Sequence, residues 1–555
     1  MRDLSRPMAR AENSKANAAG HQEPVVRAMP GPTAHPAAEA WAGDRFARLQ
    51  QRLGRTTGAA LGSARWAVVV LPSRSVDRWH EPPAETRSYE ERMLSMLFEL
   101  LDPGLELIYL TSLPVAQRTV DYYLSLLPPR VRASARRRLR LVSLGDDGQG
   151  PLSAKLLTRP DVLAQIRRTL ARPPAAYLLP YNSTVLERDI ALALDIPLYG
   201  ADPGHAWLGT KSGGRTLFAA TDVPHPLGVE HIRGAREAAD AICALRRAKP
   251  ALAQLVIKLD NAVSGEGNAL LDLAGLPVPG TPGERELVLE RLPRLAPEVD
   301  GVSPSAFLDK LAAQGGVVEE RITARELRSP SVQLRITPRG AVELLSTHDQ
   351  ILDGPSGQRF AGSRFPADPA YAPVVSALAR RTAERMAQLG VIGPLAVDFL
   401  VAREQDDGWR PYALELNLRL GGTTHPYQTL TRLTGGSYEP RTATFSTPSG
   451  RPRHYVALDH VETPRLRVLG HGGLLARATR QDLRFDHSRG RGVVFHMLSS
   501  VEPLATVGVT AIAESPASAD DLYAHVRTVL SQSSERFALA ALKRTHMLPA
   551  FDTAG

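Results

Sequence analysis

Two apolar segments of the chain carry acidic side chains that a folded core could hold only beside a cation. The segments 390–401 and 411–419 both have the sequence of buried strands. Asp398 lies within the first, and Glu415 and Asn417 alternate along the second, so that both face the same side. Unpartnered buried carboxylates are costly, whereas carboxylate and amide oxygens suit a hard divalent cation. The two strands together predict a magnesium site, although either alone would also fit an exposed polar sheet face.

An earlier strand delivers a lysine to a turn that contains glycine. Residues 255–259 are apolar except for Lys258, and they lead into a turn that contains Ser264, Gly265 and Gly267. A lysine on a rigid strand can neutralise a phosphate while the peptide N–H groups of the loop surround the remaining oxygens. Glycine permits the close backbone approach that this requires. The segment predicts a phosphate-binding loop, although by itself a Gly-x-Gly turn is more often a plain hairpin.

The N-terminal part of the chain alternates short apolar runs with helical patterns. The runs at 66–71, 105–110, 140–144 and 175–179 have the length and composition of buried strands. Strands that alternate with helices predict a parallel α/β sheet, which should end near Tyr199.

Beyond residue 200, strands and helices mix less regularly. Several strand pairs are joined by short Gly or Pro turns, which predicts antiparallel pairing. The first 60 residues lack hydrophobic periodicity and predict a flexible tail. We therefore expect a combination of α/β and α+β architecture in four parts: a flexible tail at 1–60, a parallel α/β domain at 61–200, a catalytic module at 201–440, and a small α/β C-terminal domain with its tail at 441–555.

Composition limits the class of protein. The formal net charge of +9 and the pI near 9.7 suit anionic ligands such as ATP but also nucleic acid. The sharpest basic run, 130–140, has no interleaved aromatic residues and no accompanying nucleic-acid-binding motif.

No apolar run approaches the ~20 residues of a membrane span. The N-terminal residues lack the pattern of a secretory signal, so we expect a cytoplasmic protein. The single cysteine, Cys243, excludes internal disulfides and cysteine-cluster metal sites, and histidines such as His460 and His496 lack metal-ligand spacing.

These segments occur in the order seen in ATP-grasp enzymes. Lys211 comes first, followed by the Lys258 loop and by an apolar strand at 317–322 that resembles the hinge on which adenine lies. Asp398 and the Glu415 strand then follow. On these motifs the chain resembles the ATP-grasp family.

Longer strings narrow the resemblance. Residues 263–268, 328–333 and 417–426 look like the peptide ligases of the pheganomycin-biosynthesis type, in which a pre-ATP-grasp domain precedes the catalytic module. The general resemblance covers roughly 200–440, and the narrower one extends from about 65 to 530. It implies that the N-terminal α/β domain is the pre-ATP-grasp domain.

The resemblance also implies a set of ligand-binding residues. Lysines and the glycine loop would hold the phosphates, the hinge strand would address the adenine edge, and an acidic residue after the hinge would bind the ribose hydroxyls. Two adjacent glutamates stand at the hinge, and which of them faces adenine is left open. The residues implied for ATP are Lys211, Lys258, Ser264, Gly265, Gly267, Glu319, Glu320, Ile322 and Glu326, and those for magnesium are Asp398, Glu415 and Asn417.

Three further side chains have two interpretations each. Arg419 could stabilise the transferring phosphoryl group or pair with Glu415. Arg335 could hold a substrate carboxylate through its bidentate fork or lie on a solvated strand face. His425 could line the acceptor site or assist amine deprotonation, or it could be an ordinary loop histidine. We expect Arg419, Arg335 and Lys258 to be the catalytic residues.

The sequence therefore predicts an ATP-dependent, magnesium-requiring ligase that joins a carboxylate to an amine through an acyl-phosphate and releases ADP and phosphate. By resemblance, the setting is the biosynthesis of peptide natural products, including antibiotics. The expected partners are a small carboxylic acid and an amine or peptide, without nucleic acid or membrane, and a homodimer is one assembly compatible with such an enzyme. Two alternatives are an ATP-grasp ligase with a thiol or bicarbonate nucleophile and a catalytically silent nucleotide-binding scaffold, which would not need all three magnesium ligands.

Overall fold

The structure is a computed structural model that describes residues 36–56, 65–79, 83–171, 175–404 and 408–532. None of the described helices combines the length and the apolar character needed to cross a lipid bilayer.

In the described part of the chain, four parallel strands form the N-terminal sheet, in the order β3-β2-β1-β4. Val68 and Val70 of β1 pack into one core, and Ala67, Val69 and Leu71 pack into another on the opposite face. Because helices cover both faces, these strands are continuous apolar runs, as expected for a parallel sheet. The predicted parallel α/β fold is confirmed. The elements are β1 Trp66–Leu71, β2 Leu105–Thr111, β3 Leu139–Ser143 and β4 Ala176–Pro180, with α1 Pro36–Gln50, α2 Leu53–Thr56, α3 Pro83–Arg92, a 3-10 helix Met93–Leu101, α4 Gln117–Ser125, α5 Pro129–Arg138, α6 Leu152–Leu157, α7 Pro160–Leu170 and α8 Val185–Leu194.

Helices α1 and α2 lie within the segment 1–60 for which the sequence predicts a flexible tail. Phe46 and Leu49 of α1 are buried in the core on one face of the N-terminal sheet, and Leu53 of α2 is buried as well. Their spacing of three and four residues forms a narrow apolar stripe, which the surrounding Ala- and Arg-rich sequence conceals. The prediction is wrong for this part of the segment, and the rest of it lies outside the described residues.

A five-stranded antiparallel sheet, the small sheet, follows among the described residues in the order β5-β9-β6-β7-β8. Its core includes Ile257 and Val318 from the sheet and Ile242 and Cys243 from the helix packed on it. Cys243, a free thiol, is buried in this core. The elements are β5 Gly228–Ile232, β6 Gln254–Leu259, β7 Asn268–Asp272, β8 Ala296–Pro297 and β9 Gly316–Glu320, with α9 Lys211–Ala220, α10 Ala235–Ala248, α11 Glu284–Arg291 and α12 Pro304–Gln314.

The large sheet has nine strands in the described residues, in the order β10-β14-β11-β12-β13-β18-β20-β19, and β15 pairs with β14. Its neighbouring strands are antiparallel, as predicted. Because β13 pairs with β18, the sheet continues across the domain boundary predicted at residue 440. The elements are β10 Glu326–Arg328, β11 Pro330–Ile336, β12 Val342–Asp353, β13 Arg359–Phe365, β14 Gly393–Arg403, β15 Arg410–Asn417, β18 His454–Glu462, β19 Gly492–His496 and β20 Thr506–Ala513, with the separate hairpin β16 Ser437–Glu439 and β17 Thr444–Ser446 and the helices α13 Ala372–Gln388, α14 Thr424–Thr434, α15 Arg465–Arg480, α16 Val501–Leu504 and α17 Pro516–Ser531.

An aromatic contact crosses the large sheet at this boundary. Phe365 at the end of β13 stacks on Tyr455 of β18 with ring centroids 5.0 Å apart, and both rings are buried. Stacked aromatic pairs add to the stabilisation that burial itself provides.

Replacing Phe365 by alanine should destabilise the protein by about 3–5 kcal/mol, because a buried ring is removed from the centre of a continuous sheet. Calorimetry should show one transition at a lower temperature. Val374→Ala, at a half-exposed position of α13, should leave the melting temperature almost unchanged. Two separate transitions in the Phe365 variant would show that the regions on either side of residue 440 unfold independently.

Candidate functional site

A cavity of about 810 Å³ lies where the N-terminal, small and large sheets meet. Strands of the small and large sheets line it, together with the turn between β6 and β7, the hairpin between β12 and β13 and, from the N-terminal part, residues of α3 and Tyr181 after β4. The predicted site residues in its wall are Lys211, Lys258, Ser264, Gly265, Glu319, Glu320, Ile322, Asp398, Glu415, Asn417 and Arg419.

Lys258 is fixed by a buried ion pair with Glu319 on the neighbouring strand. Its Nζ lies 2.5 Å from Oε2 of Glu319, and Nη1 of Arg215 donates to Oε1 of the same carboxylate at 2.9 Å. Burial alone would raise the pKa of Glu319, but the charges of Lys258 and Arg215 hold it below its usual value. Glu319 therefore stays charged, and cations occupy both of its oxygens.

Glu320, the second hinge glutamate, is also engaged with protein groups. Its carboxylate accepts a hydrogen bond from the Leu227 N–H at 2.9 Å and lies 2.5 Å from Nζ of Lys249. Its backbone N–H donates to the Leu227 carbonyl at 2.8 Å. Ile322 follows the end of β9, and its backbone N–H has no hydrogen-bond partner among the described residues. Ile322 lines the cavity, so the hinge has one backbone donor there that the described residues do not use.

The turn between β6 and β7 needs glycine at two positions. Gly265 has a φ of 80°, and a Cβ there would lie 2.4 Å from the carbonyl oxygen of Gln358 in the β12–β13 hairpin. At Gly267 a Cβ would lie 2.0 Å from Cβ of Ala262. Gly267 does not line the cavity, so it serves the packing of the turn, whereas Gly265 lies in the wall.

Arg78 and Trp79 of the N-terminal part bind Glu266 of this turn and fix its position. The guanidinium of Arg78 is bidentate on the Glu266 carboxylate, with Nε donating to Oε2 at 3.2 Å. Nε1 of Trp79 donates to the Glu266 carbonyl at 3.0 Å, and Arg78 also pairs with Glu85 at 2.9 Å. Sequence analysis did not identify these residues, because an ion pair between positions 188 apart leaves no local pattern.

The predicted magnesium ligands face one another on paired strands. Asp398 of β14 lies directly opposite Glu415 of β15, and Nδ2 of Asn417 donates to Asp398 at 3.0 Å. Burial and the charge of Glu415 raise the pKa of Asp398 to about 6. Burial would also raise the pKa of Glu415, but the charges of Lys211 and Arg419 hold it below its usual value. Two opposed carboxylates beside an amide oxygen form a donor set that fits a divalent cation.

Lys211 connects the acidic strands to the glycine turn. Its Nζ lies 2.8 Å from Oε1 of Glu415 and donates to the Ala262 carbonyl at 3.1 Å. The lysine is the first residue of α9, where the Thr210 hydroxyl accepts from the Gly213 N–H and fixes the start of the helix. The structure thus brings both predicted phosphate-binding lysines to one cavity.

Besides Gly267, two predicted site residues, Glu326 and Arg335, lie outside the cavity wall. Leu327 lines the cavity, so Glu326, its neighbour on β10, faces the opposite side, where it forms an ion pair with Arg403. Arg335 lies beyond the cavity on β11 and donates from Nε to Glu343 at 2.8 Å. Neither the ribose contact expected of Glu326 nor the carboxylate contact expected of Arg335 is formed by this arrangement, so both expectations are corrected.

Two histidines from different elements meet at a buried aspartate behind the wall. Nε2 of His425 lies 3.5 Å from Oδ1 of Asp459, and Nε2 of His496 donates to the same oxygen at 3.2 Å. Burial lowers the pKa of His496 to about 3 and that of His425 well below its usual value, so both rings are neutral. His425 does not line the cavity, and the cluster escaped sequence analysis because its members come from α14, β18 and β19.

Comparisons with known proteins show which families and which individual proteins this chain resembles. A family model described as "IQCH-like, ATP-grasp" matches residues 302–441, and one described as "PGM1 C-terminal domain" matches residues 473–526. L-propargylglycine–L-glutamate ligase of Streptantibioticus cattleyicolor is 30% identical over 467 residues, which cover 82% of this chain and 91% of that protein. IQ motif-containing protein H of Danio rerio is 23% identical over 459 residues, which cover 74% of this chain and 43% of that protein.

Solved structures of N5-carboxyaminoimidazole ribonucleotide synthetase resemble the chain as well. An ADP complex of that enzyme has a TM-score of 0.48 at 12% identity and covers 84% of this chain and 97% of its own. The enzyme from Thermus thermophilus has a TM-score of 0.47 at 15% identity and covers 84% of this chain and 99% of its own.

The small and large sheets, with two lysines and a pair of acidic strands between them, have the arrangement of an ATP-grasp enzyme. The chain belongs to the family of ATP-grasp ligases that includes L-propargylglycine–L-glutamate ligase. It is an ATP-dependent ligase that forms an amide bond.

Gly265→Ala should weaken ATP binding by about tenfold or more, because the new Cβ collides with the Gln358 carbonyl and displaces the turn. Gly280→Ala is the matched control: its φ of 86° imposes the same left-handed strain, about 1–2 kcal/mol, but nothing lies within 4 Å of the added atom. Calorimetric titration with ATP measures both variants. Equal losses of affinity would show that backbone strain alone, and not the position of the turn, determines binding.

Proposed function

We propose that the enzyme uses magnesium and ATP to convert a substrate carboxylate into an acyl-phosphate, which an amine then attacks to form an amide. The observation that carries this proposal is the convergence of Lys211, Lys258, the glycine turn and the opposed Asp398 and Glu415 on one cavity. Such a set surrounds the end of a triphosphate with cations, peptide donors and metal ligands, which is what phosphoryl transfer requires.

ATP would lie with its adenine at the end of β9 and its phosphates beneath the glycine turn. The Ile322 N–H is the hinge donor that remains available to an adenine acceptor atom. Lys258 and Lys211 would bind the phosphates, and their present carboxylate partners, Glu319 and Glu415, hold both side chains at the cavity wall. Glu319 acts through Lys258 in this arrangement, since cations already occupy both of its oxygens.

Asp398, Glu415 and Asn417 would hold the magnesium. All three side chains line the cavity from the β14–β15 pair, and a bound cation would offset the burial and the repulsion from Glu415 that raise the pKa of Asp398. Bound magnesium would neutralise charge that develops on the transferred phosphoryl group. The all-oxygen donor set favours a hard cation such as magnesium over softer ions such as zinc or copper.

In the first chemical step a substrate carboxylate oxygen would attack the γ-phosphorus and displace ADP. In the second, the amine nitrogen would form a bond to the acyl carbon, lose a proton and displace phosphate. Arg419 lines the cavity, and its charge acts on both Asp398 and Glu415. It is therefore placed to stabilise the transferred phosphoryl group and the acyl-phosphate. The protein contributes positioning and electrostatics to these steps.

The named substrates of the bacterial relative are two amino acids. We infer that this enzyme likewise joins an amino-acid carboxylate to the amine of an amino acid or peptide, in the biosynthesis of a peptide natural product. The expectations of a homodimer and of a cytoplasmic location stay predictions.

The enzyme should form ADP in equal amount to the amide product. Hydroxylamine should trap the activated acid as a hydroxamate, because an acyl-phosphate reacts readily with that nucleophile. Chromatography of the nucleotides and mass spectrometry of the products measure both quantities. AMP and pyrophosphate as stoichiometric products would contradict the acyl-phosphate route.

Glu415→Gln should shift the magnesium dependence of turnover to concentrations at least about tenfold higher, because one charged ligand is lost. The fold should tolerate the change, since the repulsion with Asp398 is lost together with the Lys211 ion pair. Glu343→Gln is the matched control, as it removes a carboxylate that pairs with Arg335 outside the cavity. A magnesium titration that superimposes on the wild-type curve would remove Glu415 from the set of ligands.

A further inference from the structure

The part of the cavity wall where the N-terminal region meets the large sheet contains two groups that neither ATP nor magnesium would use. They are Arg92 at the end of α3 and Tyr181 after β4, and Arg419 after β15 lines the cavity with them. Arg335, which was expected to bind a substrate carboxylate, lies outside the cavity. A substrate carboxylate in the cavity would therefore need a different guanidinium from the cavity wall.

Arg92 is held in place with most of its donors uncommitted. Its side chain is 8% exposed, its Nη2 donates to Asp459, and its guanidinium carbon lies 4.6 Å from the centre of the Tyr89 ring. Its Nε is buried and has no partner within the described residues. An arginine has five N–H donors in a rigid fork. Arg92 is thus oriented before any ligand arrives, and it keeps donors available for one.

Asp459, which orients Arg92, is itself fixed from behind the wall. Its second oxygen accepts a hydrogen bond from His496, and His425 lies beside it. Both rings are neutral, so they add no charge that would compete with Arg92 for the carboxylate. Asp459 is therefore fixed in the orientation in which it accepts the hydrogen bond from Arg92.

Two arginines of the cavity wall, Arg419 and Arg92, act on the hydroxyl of Tyr181. Burial would raise the pKa of the Tyr181 phenol, but the charges of Arg419 and Arg92 lower it below its usual value. Nη1 of Arg419 lies 3.5 Å from the Tyr181 hydroxyl. Asp459 neutralises the charge of only one of the two arginines. A buried positive surface of this kind attracts an anion.

Arg419 links this surface to the proposed reaction centre. Its charge acts on Asp398 and Glu415 as well as on Tyr181. An anion at Arg92 would therefore be part of a molecule that extends from the metal ligands, past Arg419, to the N-terminal sheet. A phosphate of ATP has its own binding groups at the two lysines, so the anion belongs to a substrate.

We propose that Arg92 and the Tyr181 hydroxyl bind a free carboxylate of an amino-acid substrate, one that is not consumed in the reaction. This inference rests on the proposed function and narrows it, because it makes a second carboxylate a condition for productive binding. Arg92 and Tyr181 are specificity-determining groups that contact substrate. Asp459 is a positioning residue that acts through Arg92.

The test begins with wild-type enzyme and pairs of amino acids, with L-propargylglycine and L-glutamate among the probes and ADP release as the readout. For each productive pair, each substrate is compared with the analogue in which the non-reacting carboxylate is a carboxamide. One such replacement should lower kcat/KM by about 100-fold, the scale of a lost charge-assisted hydrogen bond. The substrate whose amide is rejected, amine donor or acid donor, is the one bound at Arg92.

Arg92→Met should reduce kcat/KM for the free acid to the level of the amide and leave the amide reaction unchanged. The double variant R92M/D459N provides the same comparison without a lone buried carboxylate, should the single variant fold poorly. Asp459→Asn should raise KM for the free acid with little change in kcat. Arg335→Met, outside the cavity, should preserve the wild-type preference.

The outcomes separate the two proposals. Wild-type enzyme that forms ADP and amide equally well from acid and carboxamide would overturn the Arg92 assignment while the proposed function stands. Equal losses for acid and amide in both Arg92 variants would overturn the assignment in the same way. Absence of ADP formation with every pair would overturn the proposed function, and this inference would fall with it.

Discussion

The buried carboxylate of Glu319 is the constraint on which the site depends. A charge in the interior of the small sheet must be compensated, and the two cations that compensate it, Lys258 and Arg215, come from β6 and α9. The same helix begins with Lys211, which pairs with Glu415 in the large sheet. Two ion pairs thus hold the small sheet, α9 and the large sheet in one arrangement.

The strands of the site could be predicted because their signal is local. Alternation along β15 determines that Glu415 and Asn417 share a face, and a short connection makes β14 its neighbour. How far the cavity extends along a strand could not be predicted in the same way. Arg335 shares a face with Gln333, yet only Gln333 reaches the cavity, because the cavity ends between them. The prediction that Glu326 lies in the site was wrong for a similar reason. The side of the sheet that the Glu326 side chain faces depends on the pairing of β10 with β14 and not on the sequence of β10 itself.

Contacts between distant segments left no trace that a single sequence could reveal. Asp459 lies on β18, and its partners Arg92, His425 and His496 come from three other elements. Because β18 pairs with β13, the C-terminal strands are part of the same sheet as Asp398 and Glu415, and they contribute Leu458 and His460 to the cavity wall. The C-terminal region is therefore a component of the candidate site.

The ion pair between Arg78 and Glu266 constrains the evolution of the chain as well as its shape. Both side chains are largely buried, so loss of Arg78 would leave the Glu266 carboxylate without compensation, at a cost of several kcal/mol. Loss of Glu266 would leave Arg78 with Glu85 as its partner, so a substitution of Arg78 is the one that needs a matching change at position 266. In related chains the two positions, 188 residues apart, should vary together, and a pair of apolar residues there would mark an enzyme whose glycine turn is held by packing instead of charge.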